Sequence, residues 1–61
     1  MEDEVLVVVS KVKKYISEKS GMNTSANVMD ALTTRVQRIC DQAIEEARRQ
    51  GRKTVMDRDL P

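Results

Sequence analysis

The longest pattern of hydrophobic residues at helical spacing lies between positions 24 and 50. This stretch contains no glycine or proline, so nothing in it interrupts a helix. Its apolar residues recur at steps of three and four, which is the repeat of one helix face. They are Val28, Leu32, Val36, Ile39, Ala43 and Ala47. The pattern predicts one helix of about seven turns, roughly 38 Å long.

This apolar face is wider and longer than the rest of the chain can cover. Ala31, Cys40 and Ile44 widen it on both sides, and only two short segments flank it. A chain of this size buries only about 60% of its unfolded surface and is marginally stable alone. We therefore predict that the six residues of the apolar face form the core of an antiparallel homodimer. The alternative is a monomeric helical hairpin.

A lead-in segment and a short helix are predicted before the long helix. Residues 2–4 are acidic, and the apolar, mostly β-branched run 5–9 favours extended backbone. Ser10 is the predicted N-cap of a helix that continues to about Lys19, and Gly21 ends that helix.

The loops on both sides of the long helix carry turn and capping residues. Asn23, Thr24 or Ser25 is the predicted N-cap of the long helix, and Gly51 is its predicted left-handed C-terminal residue. Residues 56–61 suffice for at most about one helical turn. The sequence therefore predicts an all-α fold in one domain, residues 1–61, with residues 1–8 as the lead-in.

The composition argues against a metal site, a redox-active cysteine, and a signal peptide or membrane span. Cys40 is the single cysteine and the chain has no histidine, so no ordinary zinc site is expected and we predict no metal or other cofactor. Cys40 lies within the apolar face, where a small hydrophobic role is favoured over a redox role. The N-terminal apolar run is too short for a signal peptide or a membrane span. We expect a cytoplasmic protein without a membrane partner.

The net charge of the chain is only +1, so any anion must be bound by local groups of basic residues and not by the charge of the whole molecule. One basic group precedes the first loop and consists of Lys11, Lys13, Lys14 and Lys19. The other lies at the C-terminal end of the long helix and consists of Arg48, Arg49, Arg52 and Lys53. Each group suits either an ordinary solvated helix surface or contact with phosphates. Glu45 and Arg49 are predicted to form an i,i+4 ion pair.

The last eleven residues carry a more specific motif. Gly51-Arg52-Lys53-Thr54-Val55, followed by Asp59-Leu60, resembles the second loop and third-helix start of archaeal and bacterial histones. The family pattern is Gly-Arg-Lys-Thr-(Val/Ile)-x-x-x-Asp-(Ile/Leu), and seven positions match in register. The order of predicted elements agrees over residues 8–61. The short C-terminal end is most similar to the minimal bacterial histones.

The resemblance implies a histone fold and a handshake homodimer in which two long helices cross antiparallel. It implies that Arg52 pairs with Asp59, that Lys53 contacts a DNA phosphate, and that Thr54 offers its hydroxyl and amide to another. The remaining residues expected at DNA are Arg49, Lys11, Lys14 and, from the partner's first loop, Asn23, Thr24 and Ser25. The family's longer third helix joins dimers, whereas this sequence stops at Pro61, so a dimer is expected and a tetramer stays open.

The predicted function is binding of double-stranded DNA without sequence preference, in order to compact, bend or coat the nucleoid. The alternative is a histone-fold module that assembles other proteins and binds little DNA, which the near-zero net charge favours. An enzyme is the least favoured class, because the chain has no histidine and no glycine-rich phosphate loop after a strand. No small-molecule substrate is therefore expected.

Overall fold

A computed structural model describes residues 5–61, and all regular structure in this range is helical. Helix α1 spans Val9–Ser20, helix α2 spans Asn27–Arg49, and a 3₁₀ turn spans Asp57–Asp59. The all-α prediction is therefore confirmed, as is the single helical turn near the C-terminal end. The predicted acidic segment 2–4 lies outside the described residues.

Helix α1 begins at Val9 without a side-chain cap, so the prediction of Ser10 as N-cap is wrong. Val8 is the N-cap in extended backbone, and its carbonyl accepts the N–H groups of Lys11 and Val12 at 3.1 and 3.0 Å. Ser10 instead lies in the exposed first turn, where water can serve the free amides. The helix ends as predicted at Gly21, whose φ of 73° is left-handed.

Helix α2 is 23 residues long, which corresponds to about 35 Å. It starts later than the capping residues suggested, with Ala26 as N-cap and no side-chain cap, so the predicted caps Asn23, Thr24 and Ser25 are wrong. The backbone closes the first turn itself. Val28 donates to the carbonyl of Ser25 at 3.2 Å, and Met29 donates to that of Ala26 at 3.3 Å. The polar side chains of the first loop are thus not used for capping.

The C-terminal end of α2 fixes the start of the second loop. Gly51 has a φ of 72°, as predicted, and its N–H donates to the carbonyl of Arg48 at 2.9 Å. The N–H of Arg52 donates to the carbonyl of Ala47, also at 2.9 Å. These two hydrogen bonds form a Schellman motif, which satisfies carbonyls that the helix leaves free. The backbone at Arg52 is therefore held directly against the end of α2.

Two contacts fold the ends of the chain onto α2. The 3₁₀ turn packs against α2, where the small side chains of Ala43 and Ala47 are buried and allow a close approach. In the lead-in, the N–H of Leu6 donates to the Thr33 hydroxyl oxygen at 3.1 Å. Leu6 therefore lies beside the first half of α2.

The apolar face of α2 stays largely uncovered. Among residues 5–61 the buried hydrophobic side chains are those of Met29, Ala43 and Ala47. Val28, Leu32 and Val36 are half-buried, and Ile39 is 41% exposed. Of the predicted dimer core, Ala43 and Ala47 are thus already buried within one chain, whereas the other four residues are not.

The protomer is a thin slab of 44 × 28 × 14 Å. Its radius of gyration is 14.5 Å, compared with about 10.5 Å for a compact domain of 61 residues. Its accessible surface is 5205 Å², compared with about 4,000 Å² for a compact monomer of this mass. The single chain therefore exposes roughly 1,200 Å² more than a self-sufficient fold would.

Candidate functional site

The second loop, residues 50–56, is closed by an arginine and an aspartate. Arg52 donates from Nη2 to Asp59 Oδ1 at 2.5 Å and from Nη1 to Asp59 Oδ2 at 3.0 Å. The Asp59 side chain is only 1% exposed, and Arg52 covers it with a side chain that is 21% exposed. Asp59 also accepts the N–H of Met56 at 2.8 Å. This fork-on-fork pair is the one that the histone resemblance implies, and it joins Arg52 in the loop to Asp59 in the 3₁₀ turn that follows.

Ionisation of both partners reflects this contact. The hydrogen bond from Arg52 lowers the pKa of Asp59 from 3.8 to about 2, with help from the N–H of Met56 and against the effect of desolvation. The same hydrogen bond raises the pKa of Arg52. Asp59 is therefore a carboxylate across the physiological range, and the loop remains closed.

Stability should depend on pH through Asp59. Because its pKa in the folded chain lies below its ordinary value of 3.8, its contribution is fully present above that value and is lost as the pH falls through about 2. Asp59→Asn should lower the melting temperature by several degrees at neutral pH, and the gap should close between pH 4 and pH 2. Thermal melts followed by circular dichroism measure this, with the exposed Asp57→Asn as control. An equal gap at pH 7 and pH 2 would contradict the assignment.

Most cations beside the second loop are paired within the chain. Arg49 Nη1 lies 2.8 Å from Glu46 Oε1, and Arg48 Nη1 lies 4.0 Å from Glu45 Oε2. The predicted Glu45–Arg49 ion pair is therefore wrong. Each of the two arginines pairs instead with the carboxylate three residues earlier in the chain. Lys53 is exposed and makes no ion pair within residues 5–61. Its ammonium is thus available to an external anion.

The first loop forms a groove with α1. The groove has a volume of about 360 Å³ and is lined by Lys13, Ser17, Met22, Asn23 and Thr24. The hydroxyl oxygen of Thr24 is buried there without a hydrogen-bond partner among the described residues. A buried polar atom without a partner is uncommon. The groove is therefore lined by one cation, one amide and two hydroxyl groups. One of these hydroxyl groups, that of Thr24, has no hydrogen-bond partner among the described residues.

Of the α1 lysines, Lys13 lines this groove, whereas the sequence prediction selected Lys11 and Lys14. Lys14 instead lies 4.0 Å from the carboxylate of Glu18, and Lys11 is exposed on the same helix. The spacing of Lys13 and Ser17 could have revealed the difference, because residues four apart share one helix face. Ser25, the third predicted first-loop residue, is exposed and does not line the groove.

One chain does not bring its two loops together. They lie at opposite ends of α2, about 35 Å apart, so Lys53 and Thr54 of one chain cannot share a site with Asn23 and Thr24 of the same chain. Among residues 5–61 no three potential ligand side chains are grouped so that they could hold a metal ion. No helix in the described range is long and apolar enough to cross a bilayer.

Comparison with known proteins adds no relative: no protein-family model matches the chain, and no curated protein matches it significantly. Three features of the described residues bear on what the chain does. These are a largely uncovered apolar face on α2, a second loop that is closed by Arg52 and Asp59 and carries a lysine without an ion pair among residues 5–61, and a polar groove at the far end of α2.

Proposed function

We propose that two copies of this chain form an antiparallel handshake dimer of histone-fold protomers that binds double-stranded DNA without sequence preference. The observation that carries the proposal is the arrangement of charged side chains in and beside the second loop. Arg52 and Asp59 close it, the arginines before it are paired with glutamates, and Lys53 remains exposed beside Thr54. A rigid loop that offers one lysine suits a phosphate, because such contacts need charge and position and not base edges.

The uncovered face of α2 supports a second copy as its partner. If each protomer buries the roughly 1,200 Å² that it exposes in excess, the pair buries about 2,400 Å², which is within the range of obligate homodimer interfaces. The apolar face reaches from Val28 to Ile39 and beyond, so an antiparallel copy of the same helix matches it in length. In a two-fold symmetric dimer the same surface of each chain contacts its copy, so this surface must be complementary to itself.

Antiparallel pairing supplies the composite site that one chain lacks. The first loop of one protomer then lies beside the second loop of its partner, once at each end of the dimer. These two ends are separated by about the length of α2, about 35 Å, which is close to the roughly 34 Å of one DNA turn. One face of a duplex can therefore contact both ends.

At each composite site we assign contacts with successive phosphates. Lys53 supplies the charge, Thr54 supplies a hydroxyl and an amide, and Thr24 and Asn23 of the other chain supply polar groups from the first loop. Arg49, which the sequence placed at DNA, contributes less because Glu46 neutralises it. Lys11 and Lys14 lie along α1 and are left for weaker contacts nearer the dimer centre. Repeated binding of such dimers would compact, bend or coat the nucleoid in the cytoplasm.

The direct test is retardation of several unrelated duplexes by the purified protein at low and moderate salt. The dissociation constants should agree across sequences and rise with salt, with a log–log slope of about −0.9 for each phosphate contacted. Mass in solution, measured without DNA, should correspond to two chains. Absence of retardation at low salt would overturn the proposal.

A protein-assembly module is the second candidate, and a groove near the C-terminal end favours it. This groove has a volume of about 550 Å³ and is lined by groups of both charges together with apolar residues. Its lining includes Asp41, Glu45, Arg49, Arg58 and Leu60. Such mixed chemistry suits a protein surface, including a second dimer in a tetramer. Binding of a protein partner without salt-dependent duplex binding would favour this candidate over the first.

Two adjacent lysines give a matched test of the first-loop groove. Lys13→Ala should raise the dissociation constant for duplex about fivefold and reduce the steepness of the salt dependence by about 1.8, because one phosphate contact is lost in each protomer. Lys14→Ala removes the same charge one position along the helix, outside the groove, and should change both quantities less. Titration at several salt concentrations measures them. Equal effects of the two substitutions would place the phosphate elsewhere on α1.

A further inference from the structure

All five N–H donors of the Arg52 guanidinium are engaged within the chain. Two donate to the carboxylate of Asp59, and Nη1 also donates to the carbonyl of Thr54 at 3.1 Å. The remaining two, on Nε and Nη2, donate to Gln50 Oε1 at 3.2 and 2.8 Å. A guanidinium has five donors and no acceptor. Arg52 therefore has no donor left for a DNA phosphate and acts as a brace.

Gln50 is the least expected partner in this arrangement. Its amide nitrogen donates to Glu46 Oε2 at 2.7 Å, while the other carboxylate oxygen of Glu46 holds Arg49 at 2.8 Å. The amide is thus oriented from both sides, with its oxygen directed at Arg52 and its nitrogen at Glu46. An ion pair from Arg49 to Glu46 is thus continued by hydrogen bonds through Gln50 and Arg52 to Asp59.

We propose that Gln50 is a positioning residue for the DNA-binding second loop, acting through Arg52. This inference rests on the proposed function. Asp59 holds one edge of the guanidinium, and Gln50 holds the edge that includes Nε. With both edges held, Nη1 stays at the carbonyl of Thr54, which immediately follows Lys53. Gln50 thereby fixes the backbone that presents the lysine and the threonine to phosphate.

Loss of Gln50 would leave two Arg52 donors without their partner. Because the Arg52 side chain is 21% exposed, those donors can turn to water, and the guanidinium can rotate about its pair with Asp59. The loop would then sample more conformations and would have to be ordered again on binding. Gln50 carries no charge, so its substitution changes the order of the loop without changing the number of cations.

The test combines a spectroscopic signature of Arg52 with DNA titration, using Gln50→Ala and the exposed Gln37→Ala as matched control. In the wild type and in Gln37→Ala, the Arg52 Nε–H should give a sharp NMR resonance protected from solvent exchange. In Gln50→Ala this protection should be lost, and the dissociation constant for duplex should rise about fivefold with an unchanged salt slope. Lys53→Ala, which removes a contact, should instead reduce the slope by about 1.8.

Gln50→Glu tests the Arg52 side of this contact alone, because its carboxylate can accept the same two donors from Arg52, whereas it loses the donor to Glu46 and repels that carboxylate. Protection of the Nε–H should return in this variant. A protected resonance in Gln50→Ala, or lost protection with unchanged DNA affinity, would overturn the positioning role alone. A wild-type protein that does not retard duplex would overturn both this role and the proposed function.

Discussion

Replacing Lys53 by glutamate should nearly abolish retardation of duplex DNA, with the dissociation constant raised more than about a hundredfold. Lys53 is exposed, makes no ion pair within residues 5–61 and lies in the loop that Arg52 and Asp59 hold closed. The substitution removes two phosphate contacts from each dimer and places two negative charges at the same points. The melting temperature should change little, because Lys53 supports no other group among the described residues.

Arg38→Glu is the charge-matched control for this experiment. Arg38 is exposed near the middle of α2, eleven residues before Arg49, and its replacement changes the net charge by the same amount. It should weaken binding only modestly through the general field of the protein. If both glutamate variants lose affinity equally, overall charge and not the second loop governs binding.

Replacing Ile39 by glutamate should separate the dimer and unfold most of the chain. Ile39 is 41% exposed in the single protomer and lies on the apolar face that the second copy would cover. A charge left unpaired in such an interface costs about 3 kcal/mol, or roughly a hundredfold in the dissociation constant, and each dimer carries two. Analytical ultracentrifugation and the helical signal in circular dichroism measure the outcome.

Gln37→Glu is the control for the interface. It introduces the same charge two residues earlier, about 200° around the helix, on the polar side of α2. This variant should remain dimeric and helical. A dimer of wild-type stability in the Ile39→Glu protein would show that the apolar face of α2 is not the interface.

The elements with strong local signals could be predicted from the sequence. The absence of glycine and proline between positions 24 and 50 and the recurrence of apolar residues gave α2, and Gly21 and Gly51 gave the C-terminal ends of both helices. Glycine is decisive at these two ends because the backbone there is left-handed. The N-terminal ends were predicted wrongly, because Ser10 and the polar residues of the first loop are good caps that the chain does not use.

The site could be predicted only in part, because several of its contacts depend on which side chains reach one another in three dimensions. The pairing of Arg52 with Asp59 followed from a resemblance and not from a pattern of spacing. The hydrogen bonds from Arg52 to Gln50 had no signal in the sequence, since a neutral residue at the end of a helix is ordinary until a guanidinium lies beside it. Lys13 was missed because the choice among three lysines depends on the rotation of α1 relative to the first loop.

The thinness of the single chain bears on how the amount of assembled protein depends on the concentration of chains. If two copies pair as proposed, a slab 14 Å thick with so few buried side chains gains most of its order by pairing, and association and folding become one equilibrium. At low abundance the folded population then grows with the square of chain concentration, and unpaired chains are exposed to proteolysis. A modest increase in synthesis would therefore produce a disproportionate increase in assembled protein.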